Sequence, residues 1–304
     1  MMLGKAQRSR QHGRARWFRM QYRIGPFVVR LHTPIRPLME LVHWCYQDAH
    51  PAADDDLISF DVRVEPGPLY RRLFAPQVVF RADGQTPFQP FPLDHAFPLF
   101  EWGLNWCTAM RAHQYLMLHA GVLERDGLAL ILPAIPGSGK STLSAALALS
   151  GWRLLSDEFG LLDYQQNLLQ PLPRAIPLKN ASIEVIRAFS AQAQLGPTFT
   201  KTRKGNVAHL RPPADSLRRQ CQRTRPAWVV FPRFIPGSPL RLRALHPSVA
   251  FARLSQNAFN YRLLGASGFL GLRALVRDSR CWGAEFGDLS SILRALDELP
   301  RPAP

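Results

Sequence analysis

The sequence predicts an α/β protein built around a strand–loop–helix unit, with a smaller β-rich α+β region ahead of it. Three observations carry that expectation. Residues 128–142 read Leu-Ala-Leu-Ile-Leu-Pro-Ala-Ile-Pro-Gly-Ser-Gly-Lys-Ser-Thr, an apolar run of buried-strand length followed by a glycine-rich loop. Residues 141–150 then have helix composition, and residues 152–156 form a second apolar run that stops at Asp157 and Glu158. Between residues 22 and 92, short alternating runs are punctuated by proline and glycine, as in strands joined by turns.

In chain order, residues 1–20 carry Lys5, Arg8, Arg10, Arg14, Arg16 and Arg19 with no acid, and are expected to be a disordered basic tail. A small mixed region, residues 21–95, follows. Within it 27–32 and 57–64 alternate as strands do, 37–47 suit a helix, and Asp83-Gly84 within 78–85 signals a hairpin turn. Residues 96–299 form the main domain, and 300–304 a proline-rich end. One long helix is expected over 97–118, with Trp102, Trp106 and Tyr115 as core aromatics. Residues 119–123 and the turn at Asp126-Gly127 lead into the 128–132 strand, and Gly151 stops the helix after the loop. Runs 159–164 and 168–178 read as a hairpin, and the polar residues 190–206 as a mobile loop. A buried strand is expected at 227–232, two helices broken near 265–268 within 247–277, and a strand and helix within 284–299.

Hydrophobic residues make up 46% of the 304, enough for a sizeable core. No apolar run approaches the roughly 20 residues that span a bilayer, and the charged start lacks the apolar stretch of a signal peptide. Cys45, Cys107, Cys221 and Cys281 form no CxxC pair, which argues against a zinc site or disulfide framework and fits a cytoplasmic location. The net charge of +16 is local. Six cations fall in residues 1–20 and eleven, against Asp215 alone, in residues 200–243, so the rest of the chain is balanced. Nucleic-acid binding is the least favoured class, because no basic–aromatic reading motif accompanies the charge.

The loop itself carries the chemistry. Gly137 and Gly139 let successive N–H groups turn to one point, and the N-terminus of the following helix faces the same anion. Lys140 adds a mobile charge for β- and γ-phosphates, and Ser141 is the hydroxyl that such loops set on Mg²⁺. The expected nucleotide-binding residues are Ala134, Ile135, Pro136, Gly137, Ser138, Gly139, Lys140, Ser141 and Thr142, with ATP and Mg²⁺ as cofactors. Ala134 stands where the pattern G-x-x-x-x-G-K-[ST] has glycine, so a slightly altered loop is expected. Asp157 and Glu158 close the next strand, where one carboxylate can serve Mg²⁺ and the other a substrate hydroxyl. On charge alone, Arg203 and Lys204 on the polar loop, and Arg233 beside a buried strand, are further candidates for holding transferred phosphate.

Residues 118–123 (Leu-His-Ala-Gly-Val-Leu), the loop, and residues 153–158 (Arg-Leu-Leu-Ser-Asp-Glu) together resemble the catalytic core of HPr kinase/phosphorylase. Residues 204–213, 229–233 and 257–261 resemble more closely the HPr-kinase-related kinase A family, seen in bacteria beside exosortase-type sorting systems. That resemblance spans about residues 22–299. It implies a phosphoenolpyruvate-carboxykinase-like phosphate-loop fold. It also implies that Lys140 binds the β- and γ-phosphates, that Asp157 is the general base and that His119 orients it. Ser141 and Glu158 would then serve the metal, Glu158 replacing a second aspartate with a carboxylate one methylene longer. The C-terminal signature loop linked to dephosphorylation is not matched, so phosphorylase activity is not expected.

The expected function is an ATP-dependent kinase acting on a hydroxyl of a protein or small molecule. The alternative is an ATP-binding regulatory or assembly module without phosphoryl transfer. Expected partners are the nucleotide and a phosphoryl acceptor, with self-association left open, no membrane span, and nucleic acid not among them.

Overall fold

In the computed structural model the described residues are 16–71, 74–133, 135 and 137–301. They divide into two compact units, Met1–Cys107 and Thr108–Pro304. The sequence placed the change of region at residues 95–96, whereas this boundary lies inside a helix.

In the first unit, β1 (Phe18–Ile24) and β2 (Phe27–Thr33) form an antiparallel hairpin. Phe18, Arg19 and Met20, expected in the tail, pair with Thr33, His32 and Leu31, because β2 offers them a full ladder. Residues 1–15 of that tail lie outside the described residues. Helix α1 (Arg36–Tyr46) has proline in its first turn, where no hydrogen bond is lost. Strand β3 (Phe60–Pro66) runs parallel to β2, and β4 (Gln77–Ala82) antiparallel to β3. After β4 the turn at Asp83 and Gly84 closes a single bridge, Ala82 to Gln85. The strand that pairs with β4 is instead β5 (Phe91–Pro92), completing a five-stranded sheet. Helix α2 (Ala96–Arg111) follows, and buried Glu101 on it accepts from the Tyr46 hydroxyl at 2.7 Å.

Helix α2 stops well short of residue 118. Residues 116–118 instead begin β6 (Leu116–Arg125), because Asn260 takes their backbone: its Oδ1 accepts from Met117 N (3.0 Å) and its Nδ2 donates to Tyr115 O (2.8 Å). Next come β7 (Leu128–Pro133), α3 (Lys140–Leu149), β8 (Arg153–Ser156), β9 (Phe159–Asp163) and β10 (Leu168–Gln170). Gly151, at φ 93°, ends α3 as expected. Only β10 forms the hairpin with β9. Residues 176–179 leave it as β11 (Ile176–Lys179), ahead of α4 (Ala181–Phe189).

The expected mobile loop at 190–206 contains β12 (Phe199–Thr202), hairpinned to β13 (Gly205–Leu210), and β11 joins β13 in a three-stranded antiparallel sheet. The hydroxyl of Thr202 bonds both Lys204 N and Gly205 O, which fixes the turn. Helix α5 (Ala214–Arg218) leads to β14 (Arg225–Phe234), so Arg233 lies within the strand rather than past it. Then come β15 (Arg241–Ala244), α6 (Pro247–Asn257), α7 (Tyr261–Leu264) and α8 (Ala266–Arg277). The break at Gly265 is as expected. A second break precedes α7, because Ala258 bridges to Leu118 and Phe259 N donates to Met117 O. Strand β16 (Arg280–Phe286), which starts four residues ahead of the expected position, and α9 (Leu289–Asp297) close the unit.

The main sheet runs β10-β9-β6-β7-β14-β16-β15, with β8 also on β6; β7, β14 and β16 are parallel. Successive side chains of a strand face opposite sides. Accordingly Leu130 and Leu132 of β7 pack with α3, α4, α9 and the small sheet, whereas Ala129 and Ile131 pack with α6 and α8. Covering both faces of β7 explains why it reads as an unbroken apolar run. Among the described residues no helix is long and apolar enough to cross a membrane.

Candidate functional site

The glycine-rich loop leaves the C-terminal end of β7, where open α/β sheets characteristically place ligands. Ala134 and Pro136 of the expected nucleotide set lie outside the described residues. Gly137 and Gly139 have φ of 87° and 86°, the left-handed conformation that glycine adopts without strain. A Cβ on Gly139 would lie 2.9 Å from Cβ of Phe234, which ends the neighbouring parallel strand, and Phe234 N donates to Ser138 O at 3.0 Å. The loop is thereby clamped by β14. Ile135 is 73% exposed, whereas Ser138 is buried with no hydrogen bond to its hydroxyl. The first turn of α3 carries Lys140, Ser141 and a half-buried Thr142, with no acid to offset the positive end of the helix.

Asp157 and Glu158 occupy the short bend between β8 and β9. The Ser156 hydroxyl holds that bend by accepting from Phe159 N at 3.1 Å. Strand β6 pairs with both β8 and β9, Val122 opposite Ser156 and His119 opposite Phe159, so the bend crosses the strand that carries His119. The Ser141 hydroxyl donates to Asp157 Oδ2 at 2.8 Å. Lys140 donates to the Asp157 carbonyl, and its Nζ lies 3.4 Å from Oδ1. Otherwise Oδ1 is a buried oxygen with no hydrogen bond. Glu158 is less enclosed: its side chain is 29% exposed, and its Oε2 lies 3.7 Å from His119 Nε2.

The two carboxylates therefore have opposite electrostatics. Burial pushes the Asp157 carboxyl above its ordinary value, and Lys140 offsets this only in part. Burial acts on Glu158 in the same sense, but Lys140, His119, Lys179 and Lys204 outweigh it and hold Glu158 below the usual carboxylate range. His119 is held below its ordinary value, chiefly by burial and then by Lys140. Its ring lies 5.6 Å from that of Phe259, which in turn packs 4.9 Å from Phe159.

The structure thus brings His119, Lys140, Ser141, Asp157 and Glu158 together. Arg233 does not join them through its side chain, which is 75% exposed and 3.8 Å from Glu285. Lys204 acts on Glu158 through its charge, and both it and Arg203 sit at the β12–β13 turn. Two residues escaped the sequence reading. Gly121 was detectable as a glycine inside an apolar strand, a sign of close backbone approach. A Cβ there would lie 2.3 Å from Ser144 Oγ and 3.6 Å from both Asp157 Oδ1 and Lys140 Cγ. Lys179, whose charge acts on Glu158, gave no local signal, because its place depends on β11 pairing with β13 and packing on α3.

Ser138, Ser141 and Asp157 are the residues that could hold a magnesium-bound nucleotide. Asp157 Oδ1 and Ser138 Oγ are buried polar atoms without a hydrogen bond, and the Ser141 hydroxyl already sits at the Asp157 carboxylate. Among the described residues no three His, Cys, Asp or Glu side chains cluster as a metal site. Magnesium in nucleotide sites needs only one or two protein ligands beside phosphate and water. No family model matches this chain, and no curated protein matches it.

Proposed function

We propose that the chain is a magnesium-dependent ATP kinase of the phosphate-loop type, acting on a hydroxyl acceptor. The observation that carries this is the convergence of Lys140 and Ser141 on Asp157, with the His119–Glu158 pair beside it. In this reading the backbone amides of residues 137–141 and the N-terminus of α3 hold the phosphates, and Lys140 spans the β- and γ-groups. Ser141 and Asp157 would hold Mg²⁺. The metal would supply charge neutralisation as negative charge moves onto the leaving phosphate oxygens.

The division of labour between the carboxylates reverses the one that the family resemblance implies. A base needs an exposed, ionised oxygen within reach of the acceptor. Glu158 is partly exposed and held ionised, whereas both oxygens of Asp157 face the loop. Glu158 therefore accepts the acceptor's hydroxyl proton as the new P–O bond forms and the bond to the β-phosphate bridging oxygen breaks, releasing ADP. His119 is a positioning residue that holds the Glu158 carboxylate.

The test is transfer from γ-labelled ATP with Mg²⁺ into a lysate of the protein's own host. Glu158→Gln should lower labelling by about 100-fold or more while leaving ATP binding intact, in line with the usual contribution of a general base. Asp157→Asn should weaken magnesium-dependent ATP binding itself. Wild-type labelling by Glu158→Gln would overturn the assignment of the base. Binding of ATP without any labelled product would favour a nucleotide-binding module instead.

A further inference from the structure

The phosphate loop has two unlike flanks. Strand β7, which feeds the loop, lies between β6 and β14 in the main sheet. On the β6 side stand His119 and the bend that carries Asp157 and Glu158, with Lys140 and Ser141 turned toward Asp157. On the β14 side the loop meets aromatic rings instead. A Cβ built on Gly139 would lie 2.9 Å from Cβ of Phe234 and 3.7 Å from Cζ of Phe286. These two residues end the parallel strands β14 and β16. They therefore stand at the same edge of the sheet as the loop, the edge where open α/β sheets bind ligands.

The two rings differ in exposure. Phe286 is buried, whereas Phe234 is 42% exposed, although their centroids lie only 5.7 Å apart. Phe234 thus rests against Phe286 and keeps ring surface open to water. A single exposed aromatic residue is ordinary on a protein surface; place and anchoring set this one apart. Phe234 N donates to Ser138 O at 3.0 Å, and the next amide, Ile235 N, donates to Phe286 O at 2.9 Å. The backbone under the ring is therefore tied to the loop on one side and to β16 on the other. A ring held this way offers a flat apolar face with little further ordering to be done on binding.

We propose that Phe234 is the nucleobase contact, its ring stacking on the base of the nucleoside triphosphate whose phosphates fill the loop. The proposal rests on the nucleotide reading, which fixes the direction of the ligand. The γ-phosphate is one end of such a molecule and the base is the other. With the γ-phosphate at Lys140 and the carboxylates beside β6, the base is carried away from β6, toward the flank formed by β14. A bare phosphate chain gains nothing from an apolar ring there, whereas every nucleobase has a flat π-face that gains from stacking. Phe234 therefore selects a nucleotide over an inorganic phosphate chain.

The experiment is calorimetric titration of the full chain, with Mg²⁺ present, against ATP and against inorganic tripolyphosphate. The wild type should bind ATP the more tightly. Phe234→Ala keeps the Cβ beside Gly139 and the N–H on Ser138. It should weaken ATP binding by about tenfold, the size expected for losing one base–aromatic stack, and leave tripolyphosphate binding unchanged. Phe234→Tyr keeps the ring and should bind ATP as the wild type does. The proposal is overturned if Phe234→Ala binds ATP as tightly as the wild type, or if Phe234→Tyr loses as much affinity as Phe234→Ala. Equal loss of ATP and tripolyphosphate in Phe234→Ala also overturns it, because Phe234 would then act by supporting the loop. Equal affinity of the wild type for the two ligands overturns the stacking contact and leaves the phosphate loop standing. If the wild type binds neither, the nucleotide reading itself has failed and the stacking contact fails with it.

Discussion

Gly121 sits where three groups of the site meet, and its missing side chain is what lets them do so. Ser144 of α3, Lys140 and Asp157 all approach the space that a Cβ would fill. Gly121→Ala should therefore push α3 away from β6, costing about 1–3 kcal/mol of stability, as overpacking does, and weakening ATP binding. Ser144→Ala removes the nearest atom, so adding it to Gly121→Ala should restore both melting temperature and ATP affinity. A double variant as impaired as the single one would show that Gly121 matters for another reason. At this scale the sequence was legible wherever a residue's backbone or chemistry is special by itself. Gly137, Gly139, Lys140, Ser141, Asp157 and Glu158 could all be picked out. The different burial and surroundings of Asp157 and Glu158 were not legible locally, because they depend on how β6, α3 and the β8–β9 bend pack.

Strand β6 organises the second unit, since it pairs with β7, β8 and β9. A buried ionic network fastens its far end. Glu124 Oε2 accepts from Arg153 Nε, and the two side chains are each 4% exposed. Arg153 also donates to Arg219 O (3.0 Å), Gln222 O (3.1 Å) and Thr224 Oγ1 (2.7 Å), linking β8 to the segment before β14. Removing one buried charge leaves the other uncompensated, whereas removing both is far milder. Glu124→Gln should thus lower unfolding stability by about 3–5 kcal/mol, and Glu124→Gln with Arg153→Met should recover much of it, as read by urea denaturation. A double variant less stable than the single would contradict this account. Elements with strong local patterns, such as β7 and α3, were legible from the sequence. Those defined by distant partners were not. Residues 116–118 looked helical until Asn260 claimed their backbone, and residues 199–210 looked like a loop because short polar strands become regular only by pairing with each other and with β11.

At the scale of the molecule, folding disperses the charge that the sequence concentrates in residues 200–243. Arg219 reaches Asp215 (3.0 Å) and Glu124 (3.4 Å), Arg223 reaches Asp163 (3.1 Å), and Arg233 reaches Glu285 (3.8 Å). The basic stretch of residues 200–243 therefore contributes to several separate ion pairs, and part of it, at Lys204, acts on Glu158. A mixed α/β architecture was legible from the alternation of apolar runs with one glycine-rich loop, because parallel strands covered on both faces leave that pattern. Under the proposed function, the loop after β7 holds a magnesium-bound nucleoside triphosphate through Lys140. The most direct test is equilibrium titration of the purified chain with ATP, with and without Mg²⁺, beside Lys140→Ala. The account predicts saturable, magnesium-dependent binding that Lys140→Ala weakens by about 100-fold or more, the loss of a buried charge-assisted phosphate contact. Equal ATP affinity in the wild type and Lys140→Ala would contradict it.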